Sequence, residues 1–215
     1  MTLKLKTVLA LLLATVVFGA SSGVALAYVH HDGLEAGDIL FAVGRLDMEP
    51  DDEVPFTNSP GSLWEHVALY IGDDKVVEAI YDEYGSVRPG TRTLALDDFL
   101  GRWQYVEVKR LNRTLFWRSR IIARLQVQRN QVIQAAIDYS LKHAELQTPY
   151  NWQANKFDES SLYCSQLVWN AFYEVASIDL DSNGGINVTP DDVYASKLLH
   201  RVDWQPSVTE SQNPD

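Results

Sequence analysis

Residues 66–81 read "HVALYIGDDKVVEAIY", and this stretch decides the fold. Two runs rich in β-branched and aromatic residues flank "GDDK", a turn signal, and together they spell an antiparallel hairpin. Working outward, "DILFAV" (38–43) and "WQYVEVKRL" (103–111) also read as strands. "GSVRPGTRTLALDDFL" (85–100) suggests a loop, a strand and a short acidic turn. The segment "GRLDMEPDDEVPFTNSPGSLWE" (44–65) is a long acidic loop rich in Pro, Gly and Ser. Loops of this length in compact domains are often lids or binding loops.

The second half changes period. In "QRNQVIQAAIDYSLKHA" (128–144), Val132, Ile133, Ala136, Ile137 and Leu141 fall at helical spacing, with "RSRIIARLQ" leading in and "TPYNW" breaking the helix. In "YCSQLVWNAFYEVA" (163–176), Cys164, Leu167, Val168, Ala171, Phe172 and Val175 make one apolar stripe. Ser160 or Ser161 is placed to cap that helix. "TPDDVYASKLLH" (189–200) reads as a last helix with Thr189 at its N-cap and Pro190 at its first position. Strands followed by helices, with no internal repeat, give an α+β layout.

The N-terminus carries a different message. Lys4 and Lys6 precede the apolar run "TVLALLLATVVFGA", and "ALA" ends at Ala27. These features describe a secretory signal peptide over residues 1–27, cleaved before Tyr28. The run is short of the ~20 residues that a spanning helix needs, so no stable membrane insertion is expected after cleavage. The remainder, 28–205, is long enough for one domain with its own core, and 206–215 reads as a disordered tail. The net charge is −11. It becomes more negative once Lys4 and Lys6 are lost, which argues against nucleic acid as a partner.

Cys164 is the only cysteine, which excludes an internal disulfide and leaves a lone thiol to explain. It lies in the first turn of its helix. Unpaired N–H groups and the dipole there favour a thiolate and offer donors to an oxyanion. The same position also suits a small buried hydrophobe at the head of an apolar stripe. A thiolate nucleophile wants an imidazole to take and return its proton. His143 and His200 sit at helix ends, where surface capping is the better reading, and the adjacent His30 and His31 on the lead-in carry no assigned metal. His66 opens a buried strand and needs a polar partner, for which Glu78 in "VVEAI" is the candidate. Register decides that pairing. An even loop, Gly72 opposite Lys75, turns His66 and Glu78 to opposite faces. An odd or bulged turn sets His66 opposite Ile80, with Glu78 diagonal on the same face.

Taken together, "GDILF", "EHVALYIGDDKVVEA", "PYNW…LYCSQLVWNAF" and "TPDD" resemble the NlpC-type, papain-like cysteine peptidase superfamily. Because His66 precedes Cys164, the chain resembles its circularly permuted branch, the YiiX-like permuted papain-like amidases. The "YCS-x-LV" signature of that branch matches Tyr163 to Val168. The resemblance runs from about Gly37 to Ala195. It implies a permuted papain-like fold, an antiparallel sheet packed against helices that include the nucleophile helix. It also implies Cys164 as nucleophile, His66 as base and Glu78 as the residue that orients the base. Tyr150 falls where relatives carry a tyrosine before the cysteine helix, and is expected to line the substrate cleft or assist the oxyanion. Residues 44–65 and 85–125 have no motif support.

Two features remain outside that frame. "DLDSNGGI" (179–186) follows the first eight positions of a calcium loop, but Pro190 stands where the bidentate Glu belongs. A turn joining two helices explains it equally well, so no cofactor is assigned beyond a possible structural calcium on Asp179, Asp181 and Asn183 in the 179–192 loop. Arg118, Arg120, Arg124 and Arg129 read as a solvated helical face paired with acids. The expected activity is that of a secreted cysteine hydrolase acting on an amide bond, with cell-wall peptides as the substrate implied by the resemblance. A lipid-directed thiol acyltransferase or acyl hydrolase of the lecithin–retinol acyltransferase type is the alternative, and a non-catalytic binding module a third.

Overall fold

A computed structural model describes residues 33–45, 63–81, 89–113 and 122–204, the side chains of Arg45 and of 122–127 excepted. The expected signal peptide, His30, His31, most of the acidic loop and the expected tail lie outside the described residues. Six strands form one sheet: β1 (Ile39–Arg45), β2 (His66–Gly72), β3 (Lys75–Ile80), β4 (Gly90–Ala95), β5 (Trp103–Leu111) and β6 (Leu199–Val202). Their order is β4-β3-β2-β1-β5-β6, and every neighbouring pair is antiparallel. The helices are α1 (Leu96–Leu100), α2 (Ile122–Glu145), α3 (Cys164–Ala176) and α4 (Pro190–Tyr194).

The central strands are apolar without a polar face because both faces of the sheet are covered. Ile39 and Phe41 of β1 and Val67 and Leu69 of β2 point to the side of α2 and α3, where they meet Ile133, Ala136, Ile137, Val168, Ala171 and Phe172. Leu40, Ala42, Ala68 and Tyr70 point the other way, onto Leu96 and Phe99 of α1 and onto Trp103 and Trp204. Removing one such side chain, as in Leu69→Ala, costs about 2–5 kcal/mol because the surroundings collapse only partly. Gly37 lets the lead-in run close over α2: its φ is +92°, and a Cβ there would sit 2.8 Å from Ile133 Cγ2.

The helices depart from the sequence expectation in instructive places. α2 begins at Ile122, so the lead-in "RSRIIARLQ" is partly helix itself. Tyr163, not Ser160 or Ser161, caps α3. Gln166 accepts from the Tyr163 N–H at 3.3 Å, while its amide donates to the carbonyls of Asp158 (2.8 Å) and Lys156 (3.2 Å). Thr189 and Pro190 do start a helix, with the Thr189 hydroxyl accepting from Asp192 N, but α4 stops at Tyr194. The apolar "LLH" run joins the open edge of β5 instead, where Leu199 pairs with Leu111 and His200 with Arg110. A strand edge with unmet hydrogen bonds outweighs helical spacing over so few residues.

Candidate active site

The site begins at the hairpin. Asp73 and Asp74 both have φ near +50°, the backbone of a two-residue turn whose twist matches the strands. Gly72 faces Lys75 across it, yet Tyr70 faces Val76 and Leu69 faces Val77, so Ile71 is the extra residue of a bulge. Gly72, at φ +92°, supplies the backbone conformation that the bulge needs. Extending this register sets Ala68 opposite Glu78 and His66 opposite Ile80, so His66 and Glu78 share a face. The entry to β2 is pinned as well: the Leu63 N–H donates to Asp191 Oδ1 at 3.0 Å, and Glu65 N to the Ala42 carbonyl at 3.0 Å.

His66 Nε2 and Glu78 Oε2 are 2.8 Å apart. Glu78 is fully buried and held from behind by two guanidinium groups. Arg92, directly opposite on β4, donates from Nε to Oε1 at 2.9 Å. Arg102 Nη2 lies 2.8 Å from each carboxylate oxygen. Burial opposes the Glu78 charge, but the hydrogen bond and charge of His66 and the charges of Arg102 and Arg92 outweigh it. The carboxyl is therefore held far below the ordinary carboxylate range. The imidazole stacks on Trp103, with ring centres 5.2 Å apart and planes 12° apart, and Phe99 flanks it at 6.0 Å.

Cys164 is the first residue of α3 and is 1% exposed. Its thiol lies close enough to His66 to influence the charge on the imidazole. Since Nε2 faces Glu78, Nδ1 is the ring nitrogen left for the sulfur. Burial presses the imidazole toward its neutral form, but the neighbouring Cys164 and the hydrogen bond and charge of Glu78 outweigh it. His66 therefore titrates above the usual histidine value. Cys164, Ser165 and Gln166 present the backbone N–H groups that a helix start leaves without intrahelical acceptors. The arrangement can move a proton from sulfur to nitrogen, hold the resulting imidazolium against a carboxylate, and offer N–H donors to an oxyanion.

Tyr150 joins the same neighbourhood through a bridge to Leu162 and a ring contact with Tyr81 at 5.7 Å. Burial, with Cys164, Tyr163 and Tyr81 around it, pushes its hydroxyl well above the usual phenol range, so it stays a neutral donor. The other described histidines stand apart. His143 is buried rather than a surface cap, with Nδ1 2.9 Å from Thr148 Oγ1. His200 lies on β6, with Nδ1 3.1 Å from Asn112 Oδ1. Arg92, Arg102 and Trp103 were not anticipated. Arg92 was legible once β4 was paired with β3, but Arg102 comes from the turn after α1 and carries no local signal.

The acidic 179–192 loop is stitched internally. Asp179 Oδ1 accepts from the Trp169 indole at 2.8 Å, and Asp181 Oδ1 accepts from the N–H groups of Asn183 and Gly184 at 3.0 Å each. The buried Lys156 ammonium pairs with Asp181 Oδ2 and lies 4.7 Å from the Trp169 ring centre. Among the described residues no group of three or more His, Cys, Asp or Glu side chains is arranged to hold a metal, and no helix is long and apolar enough to cross a membrane. Of the basic cluster, Arg129 pairs with Glu35 at 3.2 Å but is buried rather than solvated. Arg118 and Arg120 lie outside the described residues, as does the Arg124 side chain.

Residues 33–213 match the family described as permuted papain-like amidase enzyme, YaeF/YiiX, C92 family, and the chain belongs to it. That family is one of papain-like cysteine peptidases and amidases. The uncharacterized protein YycO of Bacillus subtilis (strain 168) is 27% identical over 164 residues, 74% of this chain and 57% of that protein. The chain thus spans a little over half the length of that curated relative. The fold is shared with the crystal structure of metalloprotein YiiX from Escherichia coli O157:H7. The TM-score is 0.51 and the identity 13%, over 81% of this chain and 99% of that one.

Proposed function

We propose that this member of the permuted papain-like amidase family is an exported cysteine hydrolase that opens an amide bond through an acyl-enzyme on Cys164. The observation that carries the reading is the 2.8 Å hydrogen bond between Glu78 and His66, with the Cys164 thiol beside the imidazole at a helix start. In the forward step the thiol proton passes to His66 Nδ1 and the sulfur attacks the carbonyl carbon. The tetrahedral oxyanion is met by the Cys164 backbone N–H and a neighbouring donor, with the Tyr150 hydroxyl lining the cleft. As the C–N bond breaks, His66 returns its proton to the leaving amine. Water then attacks the thioester, giving one proton to His66, which passes it back to sulfur as the carboxylic acid departs.

Export rests on the n-region lysines, the short apolar run and the small-residue site ending at Ala27. Export together with membership of an amidase family supports peptides of the cell wall as substrates. We also read the 179–192 loop as held by Lys156 in place of a calcium ion, because a buried ammonium already pairs with Asp181. The test compares wild type with Cys164→Ala on purified peptidoglycan, short D,L-peptides and N-acyl lipids, with product masses read out. New amine and carboxyl ends on peptides, dependent on Cys164, support the proposal. Fatty-acid release alone would move the activity to the lipid-directed class, and no Cys164-dependent product would refute both.

A further inference from the structure

The mechanism above needs His66 and Cys164, yet the most heavily bonded group in the site is Glu78. It meets one imidazole on one side and two guanidinium groups on the other, with four arginine-to-carboxylate contacts of 2.8–2.9 Å. The Arg92 and Arg102 side chains are 25% and 13% exposed, respectively, and the carboxylate is 0% exposed. A single arginine already suffices to neutralise a buried carboxylate. Two arginines leave the region behind the imidazole with a net positive charge.

We propose that Arg92 and Arg102 are positioning residues for the reaction, which fix Glu78 against His66 Nε2 and bias the charge on the Cys164–His66 pair. This rests on the reading of Cys164 and His66 given above. Arg102 Nη2 bridges both oxygens, and Arg92 Nε holds Oε1 from β4. The carboxylate plane is therefore fixed, and with it the ring plane that Trp103 stacks upon. Arg102 is itself tethered through Nε to the Asp98 carbonyl at 3.3 Å.

The charged or titratable groups facing the imidazole are Glu78 from β3, Arg92 from β4, Arg102 from the turn after α1 and Cys164 from α3, with Tyr150 beside the sulfur. A nearby cation disfavours imidazolium and favours thiolate. Neutralising one arginine therefore raises both the pH at which the thiolate forms and the pH at which the imidazolium loses its proton. At these separations the expected displacement is about half to one pH unit, reduced from the buried limit because Arg92 is part-exposed. A residue that merely supported the fold would lower stability and leave both limbs in place.

The experiment uses the full chain. The alkylation rate of Cys164 by iodoacetamide against pH gives the thiolate limb, and carbon-13 NMR of the His66 ring gives the imidazolium limb. Arg92→Gln and Arg102→Met are expected to shift both limbs upward. Arg102→Lys keeps the charge and loses the bridge, so its limbs should stay near wild type while turnover falls several-fold. If Arg102→Met fails to fold, Arg92→Gln, at the more exposed position, carries the test. Unmoved limbs in a folded neutral variant overturn the clamp while leaving the Cys164–His66 reading intact. A wild-type thiol that reacts no faster than free cysteine at neutral pH overturns that reading, and the clamp with it.

Discussion

His66 and Glu78 lie twelve positions apart on two strands joined by a two-residue turn, and they meet at 2.8 Å because Ile71 bulges out of the ladder. Without the bulge the same turn would set the two side chains on opposite faces. The device that builds the site is thus a backbone irregularity several residues away from both groups.

Gly72 should be the weak point of that device. It sits at φ +92°, while its missing Cβ would find only an ordinary 3.7 Å contact with Ala36. Gly72→Ala is therefore strained by backbone conformation and not by space. Urea unfolding should show a loss of about 1–2 kcal/mol, together with slower alkylation of Cys164 at neutral pH. Unchanged stability and reactivity would mean that the bulge is fixed elsewhere.

Glu78 should matter to turnover and to acid stability at once. Glu78→Gln keeps the shape but removes the charge that holds the imidazolium, and should lower kcat/KM by about 10²-fold or more. Because the folded-state carboxyl titrates far below its ordinary value, its stabilisation is present above the unfolded value of about 4.3 and is lost as pH falls. Urea midpoints measured from pH 6 down to pH 3 should drop for wild type and drop less steeply for Glu78→Gln.

The opposite sign applies to His66. Its folded value is raised, so its contribution is present below about pH 6.5, the unfolded value, and fades as pH rises through the folded value. In His66→Gln that alkaline decline should disappear from the same unfolding series, and Cys164-dependent turnover should vanish.

Trp103 stacks on the His66 ring and is buried. Trp103→Ala removes that wall and should cost about 3–5 kcal/mol, with turnover falling further than in Trp103→Phe, which keeps an aromatic surface. Equal turnover in the two variants would show that the stack does not orient the imidazole.

Lys156 tests the reading of the 179–192 loop. Breaking its buried pair with Asp181 through Lys156→Gln leaves an uncompensated carboxylate and should cost about 3–5 kcal/mol. Chelation should leave the wild-type melting temperature unmoved. A fall on adding EDTA would place a metal where the lysine is proposed to suffice.

Much of this was legible before any coordinates. Strand and helix periods gave β1 to β5, α2 and α3. Residues 66–81 admit two competing hairpin registers, and composition has no means of choosing the bulge, which depends on Gly72 accepting a left-handed backbone. The errors share a cause. Leu199 to Val202 are too few for their period to outweigh a vacant strand edge, and the place of His143 near a helix end does not reveal the loop that folds back to bring Thr148 against it. Arg102 was invisible because its partner lies 24 positions away, across a sheet whose order had yet to be known.

On the proposed mechanism His66 activates Cys164 as the nucleophile. The most direct test of that role is the rate of alkylation of Cys164 by iodoacetamide at pH 6–7, read as a single adduct by intact mass, in wild type and in His66→Ala. The wild-type rate is expected to lie well above that of free cysteine and to fall to or below the free value in the variant. A wild-type rate no faster than free thiol, or one that His66→Ala leaves unchanged, would contradict it.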